Sequence, residues 1–187
     1  IFDSGLGGLT AVRSLRRLLP FEDLVYFGDT ARVPYGNKSK ETITRFTSEI
    51  MSFLLKKNIK MAVVACNTAS SLSLNFLKRA YPLPVVGVIR PGVNEAIKLS
   101  KKRKIGVIGT NSTIASGAYD RELRKAAPSF RLYSRACPLF VPLVEADMPK
   151  DTITRMVSEK YLKNMRSRKI DALILVCTHY PILKKVI

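Results

Sequence analysis

The sequence is short of acidic side chains: 14 Asp and Glu stand against 32 Lys and Arg in 187 residues, a formal net charge of +18. On composition alone this points toward an anionic partner, such as nucleic acid or a membrane surface, until the basic residues are located. Cysteine is equally sparse. Cys66, Cys137 and Cys177 are too few and too far apart for a disulfide scaffold, and no CxxC pair or His/Cys cluster marks a zinc site. Free thiols in a reducing compartment follow, with no metal expected. No apolar run approaches the roughly 18 residues that span a bilayer, and no charged-then-apolar leader precedes a small-residue cleavage site. A soluble, cytoplasmic chain without membrane association is therefore expected. What the chain does have is core material. At 47% hydrophobic and 25% charged residues it has enough for one large or two small packed domains, which argues against disorder. Ile1 falls inside a predicted strand and Ile187 inside a predicted helix, so both ends read as cut from something longer.

Four short apolar runs end in small or polar residues. They are Ile1-Phe2 before Asp3-Ser4-Gly5, Met61 to Ala65 before Cys66-Asn67-Thr68, Ile105 to Ile108 before Gly109-Thr110, and Ala172 to Val176 before Cys177-Thr178-His179. Each predicts a buried strand, with further strands at Leu24 to Phe27 and Val85 to Ile89. Helical spacing recurs between them. In residues 39–57 it is carried by Ile43, Phe46, Thr47, Ile50, Phe53 and Leu54, and in residues 151–166 by Ile153, Met156, Val157, Tyr161 and Met165. Alternating strands and helices predict an α/β fold with mainly parallel sheets. The runs ending in Cys66 and Cys177 have the same form, a weak internal duplication. The expected architecture is two similar α/β domains, 1–90 and 91–187, with Pro91-Gly92 as hinge, facing each other across a central cleft.

Ligands of such sheets bind beyond the strand C-termini, which selects Asp3, Ser4, Asp29, Thr30, Cys66, Asn67, Thr68, Thr110, Cys177, Thr178 and His179. A strand-terminal cysteine ordinarily packs. Two of them, each followed by hydrogen-bonding residues at a presumed helix N-terminus that favours thiolate, make a catalytic pair as reasonable as an inert one. Cys137, between Ala136 and Pro138, reads as packing. His179 is the only histidine and lies two residues past Cys177, so it is either a satisfied structural imidazole or that thiol's proton partner. Asp3 either caps the helix after Gly5-Leu6-Gly7-Gly8 or relays protons to the other cysteine. Neither the dinucleotide spacing nor a P-loop ending is present, which sets nucleotide binding aside. Gly36, after Pro34-Tyr35, offers a backbone amide to a carboxylate or simply turns the chain. Glu145, after eight mostly apolar residues, needs a partner if buried and none at the surface.

Taken together, these residues resemble the glutamate racemases, cofactor-independent amino-acid racemases that supply D-glutamate for bacterial peptidoglycan. The resemblance is carried by Phe2 to Thr10, Gly28-Asp29-Thr30-Ala31-Arg32-Val33-Pro34-Tyr35-Gly36, Cys66-Asn67-Thr68-Ala69-Ser70, Gly109-Thr110 with Thr113, Cys137 to Glu145, and Cys177-Thr178-His179-Tyr180-Pro181, in family order. It implies Cys66 and Cys177 as the acid/base thiols, assisted by Asp3, Glu145 and His179. It implies Asp3, Ser4, Pro34, Tyr35, Gly36, Asn67, Thr68, Thr110, Thr113, Thr178 and His179 around a glutamate substrate, with no cofactor. Aspartate racemases of the same superfamily usually carry His where Ser70 stands, which favours glutamate. The alternatives are a racemase for aspartate or another amino acid, and an impaired racemase fold that binds anions or nucleic acid. A homodimer is compatible with either.

Three departures from the family pattern bear on these expectations. Val176 stands where Gly commonly precedes the second cysteine, which threatens to crowd that wall. Arg90 replaces a common Glu near the hinge. Family chains usually continue for several tens of residues that return to complete the first domain, so domain 1–90 is expected to need a C-terminal segment absent here. The charge divides as 13 cations and 6 anions in residues 1–90 and 19 and 8 in 91–187, so there is no basic tail. Lys56-Lys57 with Lys60, Lys101-Lys102-Arg103-Lys104, and Arg166 with Arg168-Lys169 each precede a predicted strand. That placement predicts a solvated back face at helix C-termini, opposite the cysteines, and makes nucleic acid a secondary expectation.

Overall fold

The computed structural model describes residues 1–187, which form two compact units, Ile1–Val88 and Ile89–Ile187. Strands and helices alternate in both, and every strand pair is parallel, as the α/β expectation requires. No helix is long and apolar enough to cross a membrane.

In the first unit β1 (Phe2–Asp3), β2 (Phe27–Gly28), β3 (Ala62–Val64) and β4 (Val85–Gly87) make a sheet of order β2-β1-β3-β4. The register pairs Asp3 with Gly28, Phe2 with Val64 and Val64 with Gly87, so the strands all end along one edge. The helices are α1 (Leu9–Leu18), α2 (Lys40–Leu55), α3 (Asn67–Leu72) and α4 (Leu74–Ala80). Sequence chemistry sets α2 from end to end. The Ser39 hydroxyl accepts the Thr42 N–H at 3.2 Å as N-cap, while Ile43, Phe46, Thr47, Ile50, Met51 and Leu54 recur on one face and are buried. Asn58, left-handed at φ 52°, ends the turn that follows. By contrast α1 buries none of its residues within this chain, and Leu9 and Leu18 stay exposed.

In the second unit β5 (Lys104–Gly109), β6 (Arg131–Ala136) and β7 (Ala172–Val176) make a sheet of order β6-β5-β7. Around it lie α5 (Ile89–Leu99), α6 (Asn111–Ala115), α7 (Ala118–Ala126), α8 (Phe140–Glu145), α9 (Thr152–Ser167) and a terminal 3-10 turn, Tyr180–Leu183. One core cluster gathers Ile89, Val93, Ala96, Val107, Tyr119, Leu123 and Val176. The other gathers Ile108, Cys137, Phe140, Val141, Leu162, Met165, Tyr180 and Leu183, with Phe140 edge-on to both Tyr161 and Tyr180.

Three expectations change. Pro91-Gly92 lies inside the first turn of α5, where proline costs no helical hydrogen bond, and the division between units falls before Ile89. Strand β6 has no apolar run to announce it, because as the edge strand it leaves half its residues exposed. The buried face of α9 is Thr154, Ser158, Leu162 and Met165, while Ile153 and Met156 point outward. The polar pair turns inward because each hydroxyl finds a carbonyl, Thr154 donating to Met148 O at 2.6 Å and Ser158 to Val186 O at 2.7 Å.

Val176 does not crowd the cysteine wall. Alternation sends it to the cluster beneath α5 and α7, while Cys177 packs beside the opposite cluster. Its room comes from the neighbouring strand: a Cβ on Gly109 would lie 2.4 Å from Val176 Cγ2. Gly109→Ala is therefore expected to destabilise the fold by about 1–3 kcal/mol, and adding Val176→Ala should restore part of the loss. A denaturant double-mutant cycle measures this, and additive losses would contradict the shared-space account.

Candidate functional site

The edge where β1, β2 and β3 end carries Asp3, Asp29 and Cys66. Asp3 is fully buried, and its Oδ2 accepts the N–H groups of Gly5 at 3.2 Å and Gly8 at 3.0 Å. The carboxylate thus fastens the turn that leads into α1, and Gly8 must stay bare because a Cβ there would lie 2.4 Å from Asp3 Cβ. Tyr26 provides a second fastening, its hydroxyl donating to Gly5 O. Burial first, then the nearby Asp3 and Cys66, raise the Tyr26 pKa, so this phenol stays a donor.

Cys66 is 5% exposed and caps the six-residue α3. Burial, then the Asp3 charge, push its thiol up to about 12, against the opposing pull of the Ala69 amide and of the Ser4 hydroxyl and amide. The helix-terminal effect expected to favour thiolate is outweighed here, and Cys66 is a protonated thiol at neutral pH. Ser4 and Thr68 are buried beside it, and Asn67 opens α3. Ser70, also buried, donates to Val64 O at 2.9 Å, and a Cβ on Gly87 would lie 2.9 Å from its Oγ, so the pocket around this hydroxyl is full.

A second group holds the Pro34-Tyr35-Gly36 loop. The Tyr35 hydroxyl donates to the Asp29 carboxylate, which Arg32 Nε meets at 2.7 Å while the same guanidinium pairs with Glu49 and lies 4.2 Å from the Phe46 ring centre. Tyr35 is 2% exposed, Pro34 is exposed after a cis Val33–Pro34 bond, and Gly36 is half-buried in the turn. Burial, then the hydrogen bond to Asp29, raise the Tyr35 pKa. The site residues passed over in the sequence are Tyr26, Arg32 and Glu49, with Asp29 noticed but given no role. Tyr26 and Glu49 reach partners 21 and 17 residues away, which no local pattern encodes.

In the second unit the register sets Gly109 opposite both Ala136 and Val176, so Thr110, Cys137 and Cys177 leave the sheet at one level. Thr110 caps α6, its Oγ1 lying 2.9 Å from Thr113 Oγ1 and accepting the Thr113 N–H at 3.4 Å. Cys137 is fully buried in the core, as expected of a packing thiol, and burial pushes it up to about 12. Cys177 is half-exposed, with its Sγ 3.7 Å from His179 Nδ1. His179 Nε2 lies 3.4 Å from Glu145 Oε1; Glu145 is 43% exposed, so it is the surface alternative that holds, with the imidazole as neighbour. Thr178, between Cys177 and His179 in the chain, is half-buried. Cys177 leads into the 3-10 turn rather than an α-helix, so the neighbour the structure gives it is the His179–Glu145 pair and not a helix dipole. No three His, Cys, Asp or Glu side chains gather as a metal-binding set.

Residues 8–187 match the Asp/Glu/hydantoin racemase family. The glutamate racemase of Aquifex aeolicus is 55% identical over 185 residues, covering 99% of this chain and 72% of that protein. Among solved structures, a glutamate racemase isoform from Bacillus anthracis superposes with a TM-score of 0.95 at 42% identity, covering 99% of this chain and 70% of that one. The Francisella tularensis glutamate racemase, solved in complex with D-glutamate, gives 0.92 at 42% identity, with 99% and 70% covered.

The thiol environments generate two testable outcomes. Iodoacetamide at pH 8 should label Cys177 well before Cys66 or Cys137, as followed by peptide mass spectrometry; uniform labelling would contradict the burial account. Cys66 and Cys137 keep protons in the folded chain that an unfolded thiol of pKa about 8.5 releases. Stability should therefore fall as pH rises above that value toward 12, read as a declining denaturant midpoint between pH 8 and 10.5.

Proposed function

The chain belongs to the Asp/Glu/hydantoin racemase family, among its glutamate racemases, and on that premise we propose that it interconverts L- and D-glutamate by a cofactor-free, two-thiol mechanism that supplies D-glutamate to peptidoglycan. The observation that carries this reading is the asymmetry of the two thiols: Cys66 is held protonated beside Asp3, while Cys177 has a base, His179, at 3.7 Å.

Inverting a stereocentre by proton exchange needs one group to take the α-proton and another to deliver a proton to the opposite face. His179 accepts the Cys177 proton at Nδ1, and Glu145 at Nε2 steadies the imidazolium so formed. The Cys177 thiolate then removes the α-proton while Cys66 Sγ–H protonates the other face of the same carbon. One C–H bond breaks and one forms, Cys66 is left as thiolate and Cys177 as thiol, and solvent exchange through Asp3 and His179 restores the starting state. The reverse direction uses the same groups with roles exchanged. The developing carbanion gains from preorganised donors on the α-carboxylate, for which the Asn67 and Thr68 amides opening α3 and the Ser4 and Thr178 hydroxyls are suited. Tyr35 and Gly36 shape the loop that receives the substrate, with Thr110 and Thr113 bonded to one another as a second hydroxyl pair. Ser70, standing where aspartate racemases of the superfamily usually carry His, supports glutamate as the substrate, and its hydroxyl is used within the fold, donating to Val64 O.

Proton NMR of L-glutamate in deuterated water, with circular dichroism to follow loss of optical activity, tests the reaction, since racemisation must place solvent deuterium on the α-carbon. Cys66→Ala and Cys177→Ala should each lower turnover by at least about 10³-fold with the fold retained, and His179→Asn by about 10²-fold. Near-normal turnover by either cysteine variant would overturn the two-thiol mechanism. Turnover of aspartate in preference to glutamate would overturn the substrate assignment.

A further inference from the structure

The second unit has a basic edge that the racemase site does not use. Three segments meet where its strands begin: the turn from α5 into β5, the start of β6, and the turn from α9 into β7. Their backbones are hydrogen-bonded to one another, Arg131 N–H to Arg103 O at 2.8 Å and Asp171 N–H to Lys104 O at 3.1 Å, while Lys104 and Arg131 are register partners. This joins Lys101, Lys102, Arg103, Lys104, Arg131, Arg168 and Lys169 on one surface, all exposed except the half-buried Lys104. The one carboxylate within this group, Asp171, is exposed and is occupied locally, accepting the Ser100 hydroxyl and the Lys102 N–H, both at 2.6 Å. The ion pairs of this unit lie elsewhere, at Arg90–Glu122, Lys98–Glu95, Arg124–Asp120 and His179–Glu145.

Two backbone positions in this edge make the charge informative. Arg103 and Lys169 both have left-handed φ, 57° and 55°, Arg103 directly before β5 and Lys169 in the turn that ends α9, three residues before β7. Glycine takes that conformation without strain and a long side chain does not, so the fold alone would be served better by glycine at both. Each position carries a cation instead. Beside them, Arg168 lies 5.6 Å from the centre of the Tyr133 ring, a flat guanidinium poised for phosphate oxygens. Leu99 is the exposed large apolar side chain adjoining the patch, too little to anchor it in a lipid surface.

We propose that this edge is a binding surface for the phosphate backbone of duplex nucleic acid, without sequence preference. The chemistry is multidentate contact of Lys and Arg with regularly spaced phosphates, whose released counterions drive binding. It leaves the cysteine edge, at the other ends of the same strands, free.

Fluorescence anisotropy of a labelled 20-base-pair duplex of random sequence, titrated with the chain between 50 and 200 mM salt, tests this. With five or more phosphates engaged, affinity should fall about 10³-fold across that range. Arg103→Gly with Lys169→Gly should make the log–log salt slope shallower by about 2. Because glycine relieves left-handed strain, this variant should melt at the same temperature or higher, so weaker binding could not be blamed on misfolding. Arg13→Gln with Arg16→Gln, an equal charge loss on α1 in the first unit, should leave the slope unchanged. Equal effects of the two double variants would overturn the proposal, as would no binding at 50 mM salt. Retention on phosphatidylserine vesicles but not on the duplex would also overturn it, in favour of a lipid surface.

Discussion

Everything functional in this molecule depends on parallel strand register. A parallel sheet ends all its strands on one side, so each residue that comes after a strand is delivered to the same edge. Asp3 sits opposite Gly28, and Val64 opposite Gly87, which brings Asp3, Asp29 and Cys66 to one rim. The second sheet repeats the device with Gly109 between Ala136 and Val176. The same geometry sends the segments before the strands to the other rim, which collects Arg103, Lys104, Arg131 and Lys169. Chemistry and basic charge are therefore kept apart by the direction of the strands.

Within that frame the two cysteines have opposite electrostatic settings. Cys66 is enclosed, with a buried carboxylate nearby, and both conditions favour the neutral thiol. Cys177 is partly open, with an imidazole for a partner and a carboxylate behind that imidazole. The proposed two-thiol mechanism needs such a difference, because one thiol must give a proton while the other takes one. Asp3 has two effects here: it fastens the Ser4 to Gly8 turn, and its charge raises the pKa of Cys66.

The groups that hold the loops in place are less conspicuous than the cysteines. Tyr26 ties down the Gly5 carbonyl, and the Tyr35–Asp29–Arg32–Glu49 series ties the Pro34 to Gly36 loop to α2. Each restrains a segment that carries residues of the proposed site. The replacement of glycine by Val176 is absorbed in the same way, since the missing side chain of Gly109 on the adjacent strand leaves the volume that the valine fills.

The sequence by itself determined the α/β alternation, the ends of the strands that lead to Asp3, Cys66, Thr110 and Cys177, and the set of polar residues after them, because hydrophobic periodicity is local and leaves local marks. Pairing His179 with Cys177 was legible too, being two residues apart. Tertiary structure alone decided the inward face of α9, where Thr154 and Ser158 find carbonyls at Met148 and Val186. It alone decided the protonation of Cys66, which depends on burial and on Asp3, far earlier in the chain. It alone assembled the basic edge from turns far apart in the chain. The physical reason is common to all three: burial, dielectric and charge proximity are properties of neighbours in space, and residue spacing along the chain does not carry them.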